Sequence, residues 1–130
     1  MNIKYINNDK NLETETFLNM VKQIWNGIYE VEKTREALSK TINITAWDND
    51  KLVGCVRILT DGYYFGTITE ILVLPDYQRK GIGKELMKRV KEISPSRLFF
   101  GAQKEAEEFY NKIGCKKSLQ SYELNVNKNI

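Results

Sequence analysis

Apolar residues recur along this chain with two different periods, and each change of period marks a new element. Phe17, Val21, Ile24, Trp25 and Ile28 fall at helical spacing, which predicts a helix over residues 13–29, with Gly27 as a candidate break. A second, shorter helix is predicted over residues 32–40. The period then drops to two. Ile42, Ile44 and Ala46 alternate with polar neighbours, Asp48-Asn49-Asp50-Lys51 makes a turn, and residues 52–59 return as a strand. Thr60-Asp61-Gly62 marks the next turn, and the chain passes through Tyr63-Tyr64-Phe65 into a strand over residues 67–74. These pieces predict an antiparallel meander of three strands, and Ile3, Tyr5 and Ile6 separately suggest a short first strand.

The helical period resumes at Ile82. Ile82, Leu86, Val90 and Ile93 form one stripe, and Lys84, Glu85, Lys88, Arg89, Lys91 and Glu92 fill the remaining faces. Ser94-Pro95-Ser96 stops this pattern. The run Arg97-Leu98-Phe99-Phe100-Gly101-Ala102 predicts a buried strand parallel to its predecessor. Ala106, Phe109, Tyr110 and Ile113 predict a helix over residues 104–113, with acidic residues in its first turn and Gly114 as C-cap. Residues 121–126 predict a last strand, and the tail after them is expected to fray. No repeat, linker or low-complexity segment interrupts the order, so one domain over residues 1–130 is expected.

The connection between the strand at 67–74 and the helix from Ile82 carries the most chemical information. It reads Pro75-Asp76-Tyr77-Gln78-Arg79-Lys80-Gly81-Ile82-Gly83-Lys84. Glycines permit backbone conformations and close approaches that side chains block. Free N–H groups at the helix start, with the helix dipole, make a site for an anion such as a diphosphate. Arg79, Lys80 and Lys84 add positive charge there. A dinucleotide fingerprint requires a small residue where Leu86 stands, and a nucleotide P-loop requires Ser or Thr where Glu85 stands and Gly where Gln78 stands.

What remains, Gln78-x-x-Gly81-x-Gly83 after a strand ending Val73-x-Pro75, resembles the coenzyme A loop of the Gcn5-related N-acetyltransferases. A second matching segment is Phe109-Tyr110-Asn111-Lys112-Ile113-Gly114, similar to that family's Phe-Tyr-x-Lys-x-Gly, with Cys115 in place of the usual aromatic residue. Gly101-Ala102-Gln103 and Arg57-Ile58-Leu59-Thr60-Asp61-Gly62 also resemble segments of bacterial members. The predicted element order matches as well, so the resemblance covers nearly the whole chain. It implies an α/β (α+β) fold, with a mixed, mostly antiparallel twisted sheet flanked by helices.

Composition agrees with that class and removes others. The chain has 130 residues, 42% of them hydrophobic and 28% charged, as in an ordinary globular domain. A net charge of +3 is too small to argue for nucleic acid as partner, although Arg79, Lys80, Lys84, Lys88 and Arg89 form a basic surface. The longest uninterrupted apolar run is four residues, too short to span a membrane, and the N-terminus lacks the apolar core of a signal peptide. Cys55 and Cys115 are expected as free thiols in a cytoplasmic protein. With no histidine, no Ser-His-Asp or Cys-His nucleophile can be built, and no zinc-ligand spacing exists. No metal is expected.

Acetyl transfer from a thioester to an amine has three requirements. The amine must lose a proton, the oxyanion must meet a donor, and the departing thiolate benefits from a proton. Proximity alone can supply roughly 7–11 kcal/mol. The resemblance implies acetyl-coenzyme A as co-substrate and direct transfer to a small-molecule or peptide amine. It assigns backbone groups of Ile71, Leu72 and Val73 to the pantetheine arm and oxyanion, Gln78, Arg79, Lys80, Gly81, Ile82, Gly83 and Lys84 to the diphosphate, and Asn111 to a cofactor contact. It makes Tyr110 the candidate proton donor to the thiolate. Glu70 is the only ionisable side chain on its strand, and reads either as base for the amine or as a salt-bridged strand residue. Trp25 and Tyr29 stand where members of that family shape the acceptor pocket, but their spacing reads as core. A coenzyme A-binding module without catalysis is the alternative. Homodimers are frequent among such proteins, and no interface is legible in the sequence.

Overall fold

A computed structural model describes residues 1–126, and these divide into two compact units, Met1–Phe100 and residues 101–126. The first is built on four strands, β1 (Ile3–Ile6), β2 (Ile42–Asp48), β3 (Lys51–Thr60) and β4 (Gly66–Val73), in the order β1-β2-β3-β4 with every pair antiparallel. Helices α1 (Thr14–Ile24) and α2 (Val31–Ser39) lie between β1 and β2, and α3 (Ile82–Ile93) follows β4.

Alternation in β2 and β3 sends opposite sets of side chains to the two faces. On one face Ile44, Ala46, Val56 and Ile58 are fully buried, and α3 lies over this side with Ile82, Leu86 and Val90 at 3% exposure or less. Each such side chain contributes roughly 1.5–3 kcal/mol of burial. Gly54 sets how close the helix comes, since a Cβ there would meet Ile82 Cγ2 at 3.2 Å and Leu86 Cδ1 at 3.3 Å. The other face carries Asn43, Thr45, Cys55 and Arg57, with Phe17 of α1 beneath the Arg57 guanidinium. Its polar groups are satisfied locally. The buried Asp9 carboxylate accepts from Thr45 Oγ1 (2.8 Å) and the Asn11 N–H (3.0 Å), Trp47 Nε1 donates to Thr45 Oγ1, and Asn43 Nδ2 donates to Leu38 O.

Several expectations need correction. Helix α1 stops at Ile24 rather than reaching residue 29: Trp25 turns extended, and Gly27 follows in an irregular segment. Ile28 is therefore wholly exposed and Trp25 45% exposed, so neither belongs to the core; the half-buried Tyr29 donates its hydroxyl to Trp25 O. The run at 97–102 forms no strand. The Phe99 N–H donates to Gly66 O at 3.0 Å and so joins it to the start of β4, but the run enters no ladder, and the sheet is wholly antiparallel among the described residues.

In the second unit, the predicted helix opens as a 3₁₀ turn, Lys104–Ala106, and becomes α4 only over Glu107–Lys112. Gly114 ends it at φ +97°, a conformation that suits glycine. Residues 121–126 make no strand, and Tyr122 and Leu124 are 90% and 85% exposed. A period of two produces a strand only where a ladder and a covered face exist for it.

Candidate functional site

β4 occupies an edge of the sheet. Ile71, Leu72 and Val73 face Val56, Cys55 and Gly54 of β3 on one side, and no strand pairs with the other side among the described residues. Alternate backbone groups of β4 thus point away from β3, as a template for another extended chain. The register slips between Arg57 and Ile58: Arg57 faces Glu70 while Ile58 faces Ile68, which leaves Thr69 as the extra residue of a bulge.

Beyond β4 the chain makes a 3₁₀ turn, Pro75–Tyr77, with Tyr77 N–H bonded to Leu74 O at 2.8 Å. The Tyr77 hydroxyl donates to Asp48 Oδ2 at 2.6 Å, which ties this turn to the β2–β3 hairpin, and this bond raises the phenol pKa. Lys51 Nζ lies 5.5 Å from the Tyr77 ring centroid. Gln78 Nε2 donates to Val73 O at 3.0 Å and the Gln78 N–H donates to Pro75 O at 3.3 Å, so this residue closes the loop on the strand through both its side chain and its backbone.

The next residues adopt unusual backbone. Arg79 has φ +62° and Gly81 φ +86°, with open space around a Cβ at Gly81. Gly81 in the left-handed region followed by the right-handed helix forms a concavity of successive N–H groups, a geometry that binds anions. The first helical bond runs from Glu85 N–H to Gly81 O at 3.0 Å, so Ile82, Gly83 and Lys84 N–H precede any helical acceptor. Arg79, Lys80 and Lys84 are exposed around them. The glycines were legible in the sequence. The left-handed arginine was not, and at roughly 1–2 kcal/mol such a conformation persists only where its surroundings impose it.

Glu70 is held firmly. Arg57 Nε and Nη2 meet its two oxygens at 2.5 and 3.2 Å, Thr69 Oγ1 adds a bond of 2.7 Å, and the two charged side chains are only 15% and 14% exposed. The partner Arg57 was missed as a site residue; cross-strand register, which the turn Thr60-Asp61-Gly62 sets, is the signal that pairs it with Glu70. Beside this pair the fully buried Cys55 thiol is pushed far above the ordinary thiol range, by burial first and the Glu70 charge second. It cannot serve as a nucleophile.

In the second unit, Tyr110 and Asn111 both lie on α4, Tyr110 half-buried and Asn111 exposed. Burial raises the Tyr110 phenol pKa, with a smaller contribution from Cys115. A phenol so placed stays protonated at neutral pH and is suited to give a proton rather than take one.

Comparison with known proteins decides the family. A model of the acetyltransferase (GNAT) domain matches residues 7–127. This chain belongs to the GNAT acetyltransferases. An uncharacterised N-acetyltransferase of Porphyra purpurea is 26% identical over 119 residues, covering 85% of this chain and 68% of that protein. One from Pyropia yezoensis is 31% identical over 70 residues, which span 51% of this chain and only 40% of the relative's length. Among solved structures, a GNAT-family acetyltransferase of Streptococcus pneumoniae superposes with a TM-score of 0.75 at 26% identity, covering 95% of this chain and 98% of that one. An aminoglycoside N-acetyltransferase solved with coenzyme A gives 0.74 at 14% identity, covering 98% and 96%, a likeness of fold alone. Among the described residues no helix of this GNAT protein is long and apolar enough to cross a membrane, and no cluster of acidic or thiol ligands could hold a metal.

Proposed function

We propose that this GNAT protein transfers an acetyl group from acetyl-coenzyme A to a primary amine by direct attack of the amine on the thioester. One observation carries the reading: the segment Gln78–Gly83 pairs two left-handed residues with unbonded helix-start amides at the end of an edge strand. The fit is twofold. The loop amides and Arg79, Lys80 and Lys84 would hold a diphosphate, and the open side of β4 at Ile71, Leu72 and Val73 would pair with the amide-bearing pantetheine arm. One of those N–H groups would donate to the thioester oxygen, where negative charge develops.

Tyr110 is assigned as proton donor to the leaving sulfur and Asn111 as a cofactor contact, on the match of their segment to the family's motif. The amine's nitrogen forms the new bond to the carbonyl carbon, the carbon–sulfur bond breaks, and the amine's proton leaves to base or water. Glu70 is the poorer candidate for that base, because Arg57 already neutralises its carboxylate; water is the better one. The same pairing is what favours the second reading, a coenzyme A-binding module without turnover. A small-molecule or peptide amine is the acceptor class, and a cytoplasmic setting with a single N-acetyltransferase domain over residues 1–130 completes the proposal.

Thermal unfolding with acetyl-coenzyme A, coenzyme A, NAD and ATP tests the reading. A cofactor present at 100 times its Kd stabilises by about 2.7 kcal/mol. Stabilisation by NAD or ATP but not by coenzyme A refutes it. Stabilisation by coenzyme A with no thiol release on a broad amine panel selects the module.

A further inference from the structure

The β3–β4 turn presents three aromatic residues to solvent, Tyr63, Tyr64 and Phe65, with the two tyrosines 74% and 80% exposed. An exposed aromatic cluster is uncommon enough on a small domain to mark a binding surface. This one is also rigid. Asp61 Oδ1 accepts the N–H groups of Tyr63, Tyr64 and Phe65 at 2.9, 2.8 and 3.1 Å, and Thr60 Oγ1 accepts the Gly62 N–H at 3.0 Å. The two tyrosine rings meet edge to face with centroids 4.7 Å apart, and Phe65 stacks on Phe99 at 5.9 Å. The surface already accommodates one cation, since the Arg97 guanidinium lies 5.2 Å from the Phe99 centroid.

Charge selects the ligand class. The amides of Tyr63, Phe65 and Tyr64 hold the Asp61 carboxyl below its ordinary range, so it is ionised at neutral pH. Its Oδ2 takes none of those bonds, and Asp61 has no ion-pair partner among the described residues. Aromatic faces beside a carboxylate without a counter-ion suit an organic ammonium. Position then relates this site to the reaction. The turn feeds β4 at Gly66, and five residues on is Ile71, about 16 Å away at roughly 3.3 Å per residue.

We propose that the turn Asp61–Phe65 binds a second, non-reacting ammonium of the acceptor, so that the acceptor is an extended diamine or polyamine and not a monoamine. This rests on the acetyl-transfer reading, because only that reading places the reacting amine near Ile71.

Spermine, whose extended chain is long enough for that span, and propylamine serve as probes, read by amide chemical shifts of the wild type, of Tyr63→Ala/Tyr64→Ala and of Asp61→Asn, which keeps an oxygen for the turn amides. Spermine is expected to shift residues 61–65, to bind the wild type at least tenfold more tightly than propylamine does, and to lose most of that advantage in both variants. Shifts confined to other residues, an equal response to the two amines, or variants that keep the preference overturn the proposal. Coenzyme A is titrated into the same samples. Its failure to bind refutes acetyl transfer itself, which the amine titration alone leaves untouched; failure of the spermine contact with coenzyme A bound refutes only the acceptor class. In the acetylation assay, the ratio of kcat/KM for spermine over propylamine is expected to fall about tenfold in either variant, and an unchanged ratio refutes the acceptor assignment.

Discussion

Removing one partner of the Arg57–Glu70 pair should destabilise the fold, while removing both together should not. The two side chains are 15% and 14% exposed and share two contacts, and the Arg57 guanidinium also lies 5.6 Å from the Phe17 ring. Breaking a buried pair from one side costs about 3–5 kcal/mol, because the survivor keeps an uncompensated charge in a poorly solvated place. β4 is an edge strand and some water reaches the site, so Glu70→Ala is expected nearer about 2–3 kcal/mol. That is a large share of the roughly 5–15 kcal/mol that stabilises a domain of this kind. Arg57→Met should cost a similar amount, leaving the carboxylate unpaired. Arg57→Met/Glu70→Leu replaces both charges with apolar groups of similar length and should lie within about 1 kcal/mol of wild type. Urea unfolding at pH 7 of all four proteins gives the coupling directly, expected at about 2 kcal/mol or more. A coupling below about 0.5 kcal/mol refutes the argument. Turnover separates structure from catalysis: if the carboxylate were the amine's base, the double variant would be folded but inactive, whereas an ion pair that only shapes the bulge lets the double variant keep acetyl transfer.

Three further outcomes follow from the site. Tyr77→Phe removes the bond to Asp48 and should raise the Kd for coenzyme A several-fold by isothermal titration with kcat little changed; because that bond raises the phenol's folded pKa, its contribution is full below the ordinary tyrosine pKa and is lost as pH rises through the raised one. Arg79→Gly relieves the left-handed strain, so thermal unfolding should move up by a degree or two, on the order of 0.5 kcal/mol net of glycine's greater unfolded freedom, while coenzyme A binds more weakly; a lowered midpoint refutes the strain argument. Tyr110→Phe should lower kcat about 10²-fold or more with the Kd for coenzyme A retained, and an undiminished kcat removes the tyrosine from the reaction.

The elements of the first unit were legible because their apolar residues serve one purpose each. Ile82, Leu86 and Val90 recur at 3.6 residues and all three are buried against the sheet, so pattern and packing coincide. The glycine loop was legible for a different reason, since few other residues tolerate the backbone at Gly81. Where the reading failed, a local pattern lacked the tertiary partner that would complete it. Trp25 and Ile28 continue the period of α1, yet the helix turns extended at Trp25 and the sheet offers them no surface. Leu98 to Phe100 and Tyr122 to Val126 have strand composition without a ladder. Arg57 was read only as part of a turn motif, because its role depends on a cross-strand register that a linear pattern does not display.

That register bears on how the chemistry is arranged. The slip between Arg57 and Ile58 inserts Thr69 into β4, one residue before Glu70 and two before Ile71. An extra residue changes which backbone groups face β3 and which face outward, since the pleat alternates with period two. Thr69 then uses its hydroxyl to hold Glu70, Glu70 holds Arg57, and Arg57 rests on α1 through Phe17. The bulge is thereby fixed from the covered face by an ion pair, and Ile71 and Leu72 carry no side-chain bond among the described residues, while Val73 O accepts from Gln78 Nε2. On this view Glu70 acts on the reaction through the direction of neighbouring backbone amides and not through its own proton affinity. The consequence is that shortening β4 by deleting Thr69 should abolish turnover even though no ionisable group is lost, whereas neutralising the Arg57–Glu70 pair with matched apolar residues should preserve it.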